Sequence, residues 1–421
     1  MNDLKFAFGQ LFKNLGFTGV AVLTLAPGTA SVHGAVYDWP MWRGTNHDGI
    51  SREPGWLVTW PKDGPKELWR ASIGTGFATV SVSQGRLFTG GNSNQTDTIY
   101  CLDSETGREV WKHSYACPVN IPQERFGPAA TPTLDRDRVY TLSLEGHVFC
   151  FEAASGKILW SKQIAQELNA RPPRWGFSGS PLAQGGLLIL NVGSAGTALD
   201  KATGKVVWTS GRGPAGYASP VPFSNEGQPA VGIFAADALI ALNPATGKEL
   251  WRHAWKTDYG INVADPVFVG DKAFVASNYG KGCGLIQFHG SEAKLLWTNN
   301  NLHAHFSSPV FINGFLYAVD GEADSGGESL RCLDFNTGQV KWTEKLPAIA
   351  SLMAADGKLV VMTGKGELMV AEARPESFKL LARAQVLGGR CWTPPVLANG
   401  RLYCRSAQGN LVCLDVKTTK L

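Results

Sequence analysis

The sequence predicts an all-β fold: an eight-bladed β-propeller with four-stranded antiparallel blades and ring closure by an N-terminal strand. A ten-residue motif ending in tryptophan recurs along the chain, with a spacing in the forties. Each unit also contains four short apolar runs separated by turns. Repeats of this length with several strands per unit are typical of propellers.

The recurring motif ends nine positions after its first residue, always at a tryptophan. Its copies are LDSETGREVW at 102–111, FEAASGKILW at 151–160, LDKATGKVVW at 199–208, LNPATGKELW at 242–251 and LDFNTGQVKW at 333–342. Because large rings bury much apolar area, we expect these residues to dock neighbouring blades together. The aligned residues are Trp69, Trp111, Trp160, Trp208, Trp251, Trp297 and Trp342, with Leu381 expected in the same position of the seventh blade.

The last copy of the motif, LVCLDVKTTKL at 411–421, lacks its tryptophan. The final unit therefore has three strands and no outer one. The segment PKELWR at 65–70 is an outer strand with no blade before it. We expect this segment to complete the last blade, with Trp69 as the missing tryptophan, because closure removes the exposed edges of an open ring.

The chain divides into three predicted parts: an export signal at 1–35, an N-terminal segment at 36–64 that packs on the propeller, and the propeller at 65–421. Lys5 and Lys13 precede an apolar run at 15–26 that is followed by small residues, which is the order of a secretory signal. An uncleaved membrane anchor is the alternative. Since no cysteine precedes Cys101, we expect no lipid anchor and a periplasmic or secreted protein.

Composition and missing motifs exclude several classes of function. The net charge is +4 and Lys and Arg do not cluster, so nucleic acid is not an expected partner. The G-x-S-x-G, H-E-x-x-H and P-loop motifs are absent. We expect a monomer, and no catalytic residue is assigned.

Four cysteines share one position of the repeat, two residues before its acidic residue. They are Cys101, Cys150, Cys332 and Cys413, and Ala198 and Ala241 replace them in other blades. Exchange of cysteine with alanine indicates a small buried apolar slot. No C-x-x-C spacing exists, so no zinc site is predicted.

One cysteine pair is a candidate disulfide. If Gln408 and Gly409 form a two-residue turn, Cys404 lies directly opposite Cys413. An exported protein can oxidise such a pair. Two free buried thiols are the alternative.

The connections from each outer strand to the next inner strand are the longest loops, and they converge at one end of the ring. They contain twelve Lys or Arg but four Asp or Glu. Rings beside guanidinium groups suit a planar anionic ligand, although aromatic plugs and carbonyl-binding arginines are the alternative. The candidate ligand- or cofactor-binding residues, near Phe77, are Arg125, Arg174, Trp175, Tyr217, Tyr259, Asn262, His305, Arg390 and Trp392.

An acidic turn is expected at the same end of the ring. It contains Asp320, Glu322 and Asp324. We interpret these as solvated loop side chains, with a cation site as the alternative. No metal site is therefore predicted from the residues.

The L-D-x-x-T-G-K-x-x-W repeats resemble the tryptophan-docking repeats of the quinoprotein propellers, which bind pyrroloquinoline quinone (PQQ). The resemblance covers residues 65–421, and DWPMWRGTNHDGIS at 38–51 is similar to the N-terminal segment of PQQ-like repeat proteins. It implies an eight-bladed propeller exported to the periplasm, in many members with alcohol dehydrogenase activity that uses PQQ and calcium. BamB-like members instead bind protein partners.

The chain departs from both functional types of this family. Catalytic members have two adjacent cysteines that pack on the quinone, and BamB-like members have a lipobox cysteine; neither occurs here. By the resemblance, Asn262 and Asp265 are the nearest candidates for calcium ligands. Trp175 or Trp392 would be the floor on which a quinone stacks.

Three functions follow as hypotheses. The first is a binding or scaffold module of the cell envelope, which takes an envelope protein or a small anionic ligand at its mouth. The second is a PQQ-dependent dehydrogenase of alcohols or polyvinyl alcohol. The third is a polysaccharide-binding propeller. A stacking indole with a carboxylate-bound cation would favour the enzyme, and a filled mouth with an exposed apolar patch would favour the scaffold.

Overall fold

The computed structural model describes residues 37–119, 127–211 and 213–418. The predicted export signal at 1–35 and the candidate Arg125 lie outside these residues. Within them the chain forms thirty-three β-strands and one short helix, α1 (Ile164–Leu168). No helix of this described part is long and apolar enough to cross a membrane.

Two strands precede the first complete blade, β1 (Ile50–Ser51) and β2 (Glu67–Ser72). Seven sheets of four consecutive antiparallel strands follow. Blade 1 comprises β3 (Ser81–Ser83), β4 (Arg86–Ser93), β5 (Thr96–Asp103) and β6 (Glu109–Ala116), and blade 2 comprises β7 (Thr133–Asp135), β8 (Arg138–Leu142), β9 (His147–Glu152) and β10 (Ile158–Gln163). Blade 3 comprises β11 (Leu182–Gln184), β12 (Leu187–Leu190), β13 (Thr197–Asp200) and β14 (Val206–Thr209). Blade 4 comprises β15 (Val221–Asn225), β16 (Gln228–Phe234), β17 (Ala238–Leu242) and β18 (Glu249–Ala254).

The remaining blades repeat this pattern, and β1 adds a parallel strand beside β27 in blade 7. Blade 5 comprises β19 (Val267–Val269), β20 (Lys272–Ser277), β21 (Gly282–His289) and β22 (Glu292–Asn299). Blade 6 comprises β23 (Val310–Ile312), β24 (Phe315–Asp320), β25 (Ser329–Asp334) and β26 (Val340–Lys345). Blade 7 comprises β27 (Ala350–Ala355), β28 (Lys358–Thr363), β29 (Glu367–Glu372) and β30 (Leu380–Gln385). Blade 8 contains β31 (Val396–Ala398), β32 (Arg401–Arg405) and β33 (Asn410–Asp415).

The N-terminal strand β2 closes the ring. It pairs antiparallel with β33, and the sheet order is β2, β33, β32, β31. Trp69 lies opposite Cys413, so it takes the position that the last motif copy lacks. The predicted eight-bladed propeller with N-terminal closure is confirmed.

Each repeated tryptophan joins its blade to the next. The Nε1–H of Trp111 donates to the carbonyl of Ala153, which lies in the turn before the outer strand of blade 2, at 2.9 Å. The same contact recurs at 2.6–3.1 Å between Trp69 and Ser104, Trp160 and Lys201, Trp208 and Pro244, Trp297 and Asn336, and Trp342 and Arg374.

The glycine of the T-G turn lies flat against the ring of this tryptophan. A Cβ atom on Gly107 would lie 2.6 Å from the ring of Trp69, and one on Gly204 would lie 2.7 Å from the ring of Trp160. Both glycines also have φ near +70°, which other residues rarely adopt. The T-G turn of one blade and the tryptophan of the preceding blade therefore pack against each other and form the joint between the two blades.

Two blades depart from this pattern. In blade 5 a tight turn, in which His289 pairs with Glu292, replaces the T-G turn, and the Nε1 atom of Trp251 has no hydrogen-bond partner among the described residues. The Trp251 ring instead stacks on Phe288, with centroids 5.1 Å apart. In blade 7 the predicted position was wrong by one residue, because Ala382 rather than Leu381 lies in the tryptophan register.

The residue opposite each tryptophan is small in most blades. Cys101, Cys150, Cys332 and Cys413 are fully buried there, as are Ala198 and Ala241. The predicted apolar slot is confirmed. In blade 5 the same position holds Leu285, and Trp297 opposite it still donates to the carbonyl of Asn336 at 2.6 Å, so the slot also accepts a larger apolar side chain.

The register assumed for the candidate disulfide is wrong. Cys404 lies opposite Val412, and Cys413 lies opposite Tyr403. Neighbouring positions of a strand point to opposite faces of the sheet, so the two thiols face apart. Both are free and buried.

Candidate functional site

Loops at one end of the ring surround an open cavity of about 1010 Å³, the mouth cavity. In a four-stranded meander the outer strand ends at the same end of the blade at which the next inner strand begins, so these connections meet around the axis. The walls come from residues 173–180, 214–219, 259–265, 305–306 and 390–394, together with the turn at 322–324.

Most of the predicted mouth residues line this single cavity. Arg125 lies outside the described residues, and Asn262 is not among the lining side chains. The seven that the structure brings together are Arg174, Trp175, Tyr217, Tyr259, His305, Arg390 and Trp392.

Asn262 was wrongly predicted to face the mouth. It is fully buried, and its side-chain amide donates to the carbonyls of Ala235 at 2.8 Å and Trp255 at 3.1 Å. Its side-chain carbonyl accepts a hydrogen bond from Ser277 Oγ at 2.7 Å. Asn262 therefore fixes the connection into blade 5 from behind the cavity wall.

The indole of Trp392 forms one wall of the cavity and is already stacked. Phe306 and Phe77 lie against it with ring centroids 4.7 Å and 5.5 Å away and interplanar angles of 29° and 11°. The Arg390 guanidinium lies 4.4 Å from the ring centroid. Stacking and cation–π attraction hold this cluster in place.

A second arginine–tryptophan pair lies on the connection into blade 3. The exposed guanidinium of Arg174 lies 4.9 Å from the ring centroid of Trp175, which contacts the buried Tyr217. Tyr259 stands on the rim with 74% of its surface exposed and meets Tyr279 edge to face. The mouth therefore presents aromatic surface and two guanidinium groups to an incoming molecule.

His305 is held neutral in a defined tautomer. Its Nδ1 atom accepts the backbone N–H of Ala323 at 3.1 Å, so the ring proton is on Nε2, which lies 2.9 Å from the hydroxyl of Tyr279. Burial lowers the pKa of His305 to about 4. The ring thus connects the wall of the cavity to the acidic turn.

The acidic turn, residues 321–328, is anchored at its base. Asp320 accepts the N–H of His303 at 2.7 Å and forms an ion pair with Arg331 at 2.9 Å. Glu322 and Asp324 line the mouth cavity, and Asp324 lies 3.8 Å from Arg390. Because Asp320 already has a cationic partner, the three acidic residues do not form a common cation site.

Hydroxyl side chains link successive inner strands around the axis. In four places the backbone N–H of a residue just before one inner strand donates to the side-chain oxygen of the equivalent residue in the next blade, at 2.9–3.1 Å. These pairs are Thr79 with Thr131, Thr131 with Ser180, Ser180 with Ser219, and Asp265 with Ser308. Asp265 replaces a hydroxyl in this series and accepts the N–H of Ser219 at 2.8 Å.

The N-terminal segment contributes Trp42 to the lining of the mouth cavity. The Nε1–H of Trp42 donates to Oδ2 of Asp265 at 2.5 Å, and both side chains line the mouth cavity. Just before it, Trp39 pairs with Val82 of blade 1 through two backbone hydrogen bonds of 2.8 Å. Trp42 and Asp265 are thus part of the cavity floor.

Arg43 supplies the positive charge beside Asp265. Its Nε lies 3.9 Å from Oδ2 of Asp265, and its Nη2 donates to the carbonyl of Pro309 at 2.7 Å. Burial lowers the pKa of Arg43, and the charge of Asp265 opposes this effect. Burial raises the pKa of Asp265, and the charge of Arg43 opposes that effect in turn.

The residues at this floor do not fit the calcium and quinone that the family resemblance implies. Calcium takes six to eight oxygen ligands, whereas the oxygens of Asp265 already accept from Ser219 and Trp42 and face Arg43. Among the residues described, no group of three or more His, Cys, Asp or Glu is placed to hold a metal. A quinone on Trp392 would have to displace the rings already stacked there.

The floor was not predicted from the sequence. DWPMWRGTNHDGIS was interpreted only as a family resemblance, and no role was predicted for Trp42 or Arg43. A usable signal exists, because a hydroxyl residue precedes proline at the start of five inner strands and aspartate takes that place once, at Asp265. A single buried carboxylate in such a series predicts a cationic partner.

Comparison with known proteins identifies similar chains. The family model described as outer membrane protein assembly factor BamB matches residues 61–123, 96–344 and 326–421. An outer membrane protein assembly factor BamB from Yersinia pestis is 20% identical over 358 residues, which cover 82% of this chain and 77% of that protein.

Two solved structures share the fold. BamB from Moraxella catarrhalis matches with a TM-score of 0.59 and 16% identity, over 85% of this chain and 99% of that one. Quinohemoprotein alcohol dehydrogenase from Comamonas testosteroni matches with a TM-score of 0.64 and 15% identity, over 91% and 81% of the two chains. One is named BamB and the other is named as an alcohol dehydrogenase, so likeness of fold does not distinguish between their functions.

Proposed function

The chain belongs to the PQQ-like propeller family whose model is described as outer membrane protein assembly factor BamB, and from that premise we propose that it is a binding scaffold of the cell envelope. Its mouth cavity is the docking site, and a segment of a protein partner is the ligand. The floor of the mouth carries this proposal.

The floor is built for rigidity rather than for a redox cofactor. The carboxylate of Asp265 is held by Trp42 and neutralised by Arg43, all within the protein itself. The mouth is open, as the enzyme hypothesis requires, but the carboxylate-bound cation of that hypothesis is replaced by a guanidinium.

The size and rim of the mouth favour a polypeptide ligand. Its volume of about 1010 Å³ is at the upper end of the range typical of small-molecule sites. Tyr259, Trp175 and Arg174 are of the residue types that dominate the binding energy of protein interfaces. A side chain or loop of a partner can enter between them while the rest of the partner covers the rim.

Location in the envelope is part of the proposal. The basic, apolar and small-residue order of positions 1–35 supports export. The relative from Yersinia pestis is named as an outer membrane assembly factor, which supports the same compartment.

Affinity capture from solubilised envelopes tests the proposal. Wild-type protein should retain a discrete partner, and the double variant Arg174→Ala, Tyr259→Ala should lose it at least tenfold, since it removes rim contacts of the hot-spot type. Val207→Ala, an exposed apolar site on an outer strand, is the control and should retain the partner. Equal capture by all three proteins would contradict docking at the mouth.

A quinone titration tests the dehydrogenase alternative. Tryptophan fluorescence is followed while PQQ is added with and without calcium. Saturable, calcium-dependent binding that Asp265→Asn abolishes would replace the scaffold proposal with the enzyme. We expect no calcium-dependent component, because Arg43 already neutralises Asp265.

A further inference from the structure

We propose that Arg390 is the anion-binding residue of the mouth and that Asp324 is an internal substitute for the anionic group of the ligand. The partner segment is therefore acidic, and its carboxylate displaces Asp324 from Arg390. This inference rests on the proposed function and specifies its ligand.

The position of Arg390 is fixed for this role. Its guanidinium lies 4.4 Å from the centroid of the Trp392 ring, and its backbone N–H donates to Oε1 of Gln408 at 3.1 Å. The side chain lines the mouth cavity and is one-third exposed. A guanidinium held in this way presents donors to a carboxylate with little further loss of side-chain freedom.

The ion pair between Arg390 and Asp324 is weak enough for a ligand carboxylate to replace Asp324. The two charged groups are 3.8 Å apart, beyond hydrogen-bonding distance, and the carboxylate is 76% exposed. An exposed ion pair of this geometry contributes little to stability. A ligand carboxylate that enters the cavity can approach Arg390 more closely and in a less solvated place, so exchange is favourable.

The turn that carries Asp324 can move without disturbing the blade. Asp324 has φ of +63°, an unfavourable conformation for a residue with a side chain, and Gly326 and Gly327 follow it. The turn is fixed at its base by Asp320 and at its end by the hydrogen bond from Leu346 to Glu328. Between these points it is held to the cavity through Arg390 and through the N–H of Ala323.

The charges that line the mouth are of both signs. They are the guanidinium groups of Arg174 and Arg390 and the carboxylates of Asp265, Glu322 and Asp324, of which Asp265 is already paired with Arg43. Release of Asp324 from Arg390 removes a negative group from the ligand's path. An acidic segment with aromatic residues matches both the guanidinium groups and the rings that line the cavity.

Peptide binding to the whole protein tests the displacement. The probe is an acetylated and amidated peptide of three Glu-Phe repeats, and its Lys-Phe counterpart is the charge control. Asp324→Asn should tighten binding of the Glu-Phe peptide about twofold to fivefold, because the internal competitor is gone. Arg390→Gln should weaken it by at least tenfold, and the Lys-Phe peptide should not bind to Asp324→Asn more tightly than to the wild type.

Glu322→Gln is the matched control for charge. Glu322 lines the same cavity, so its substitution removes the same charge without removing the Arg390 contact. Displacement predicts that Asp324→Asn has the larger effect. Equal tightening by the two variants, or unchanged binding by Arg390→Gln, would overturn the proposal.

Hydrogen exchange gives a second readout that does not depend on affinity. Saturating Glu-Phe peptide should accelerate exchange at residues 322–326 in the wild type while other mouth residues are protected. Protection of this turn by the peptide would overturn displacement. If envelope capture fails but the peptides bind as stated, the proposed protein partner is wrong and the anion site at Arg390 is retained. If capture succeeds but the peptides do not bind as stated, the scaffold function is retained and Asp324 has no part in ligand binding.

Discussion

Trp69 lies opposite Cys413, so strand β2, near the N-terminal end of the described chain, completes the last blade. The indole N–H of Trp69 also donates to the carbonyl of Ser104 in blade 1 at 3.1 Å. One residue therefore closes the sheet of blade 8 and docks it on blade 1. The integrity of the ring depends on this joint more than on any internal one.

Removal of this indole should weaken ring closure. Trp69→Ala is expected to lower the free energy of unfolding by about 3–5 kcal/mol, as for other buried aromatic truncations. Trp342→Ala is the control, because it removes an equivalent ring from an internal joint. Both variants should lose stability in urea, but amide exchange in β33 should accelerate only in Trp69→Ala. Similar exchange in both would contradict the special role of closure.

The docking glycines should be intolerant of a methyl group. Gly107→Ala places a Cβ atom 2.6 Å from the Trp69 ring, whereas Gly357, with nearly the same φ, has no heavy atom within 4 Å of that position. Both substitutions strain the backbone, and Gly107→Ala should cost about 1–3 kcal/mol more because the ring must shift. Equilibrium unfolding of the two variants measures the difference, and equal losses would show that the ring contact does not matter.

The repeat made the fold predictable, and its local exceptions did not follow from it. The spacing of Trp69 and the truncated last copy together predicted closure. Leu381 was expected in the tryptophan position, but the turn before β30 is longer than that of blade 1: the N–H of Glu372 donates to the carbonyl of Lys379, whereas that of Asp103 donates to Arg108, and Ala382 takes the tryptophan register. The same kind of error affected Cys404, because the length of the turn between β32 and β33 is not visible in its composition.

The buried pair at the floor should behave as a unit. Arg43→Met leaves Asp265 buried without its charge partner and should cost about 3–5 kcal/mol at neutral pH. The double variant Arg43→Met, Asp265→Asn should recover part of this loss. Urea unfolding of the single and double variants measures the coupling, and purely additive losses would contradict it.

The loss in Arg43→Met should depend on pH in a defined direction. Burial already raises the pKa of Asp265, and removal of Arg43 raises it further. A carboxyl with a raised pKa in the folded state holds its proton more tightly there, so stability increases as pH falls. The deficit of Arg43→Met relative to the wild type should therefore shrink between pH 7 and pH 5.

His305 should make stability decrease in acid. Its pKa in the folded protein is about 4, below the value of about 6.5 in an unfolded chain. Its contribution is therefore complete above pH 6.5 and is lost as pH falls towards 4. The variant His305→Gln should flatten the pH dependence of unfolding in this window. A ring titration near 6.5 in the folded wild type, followed by NMR, would contradict the burial argument.

The site was less predictable than the fold, for physical reasons. Loop composition located the mouth, since Arg174, Tyr259 and Trp392 all lie where the connections converge. Asn262 sits between lining residues, but its amide satisfies buried carbonyls and so turns away from the cavity. The Arg43 contact was not predictable from the repeat, because it joins a segment outside the repeats to the channel.

Photo-crosslinking from the rim tests the central claim most directly. A benzoylphenylalanine placed at Tyr259 is activated in intact host cells, with the exposed His289 at the end of β21 as the control position. The account predicts that residue 259 crosslinks to one or a few envelope proteins and that residue 289 does not. Absence of protein crosslinks from residue 259, or the same products from residue 289, would contradict a docking function for the mouth.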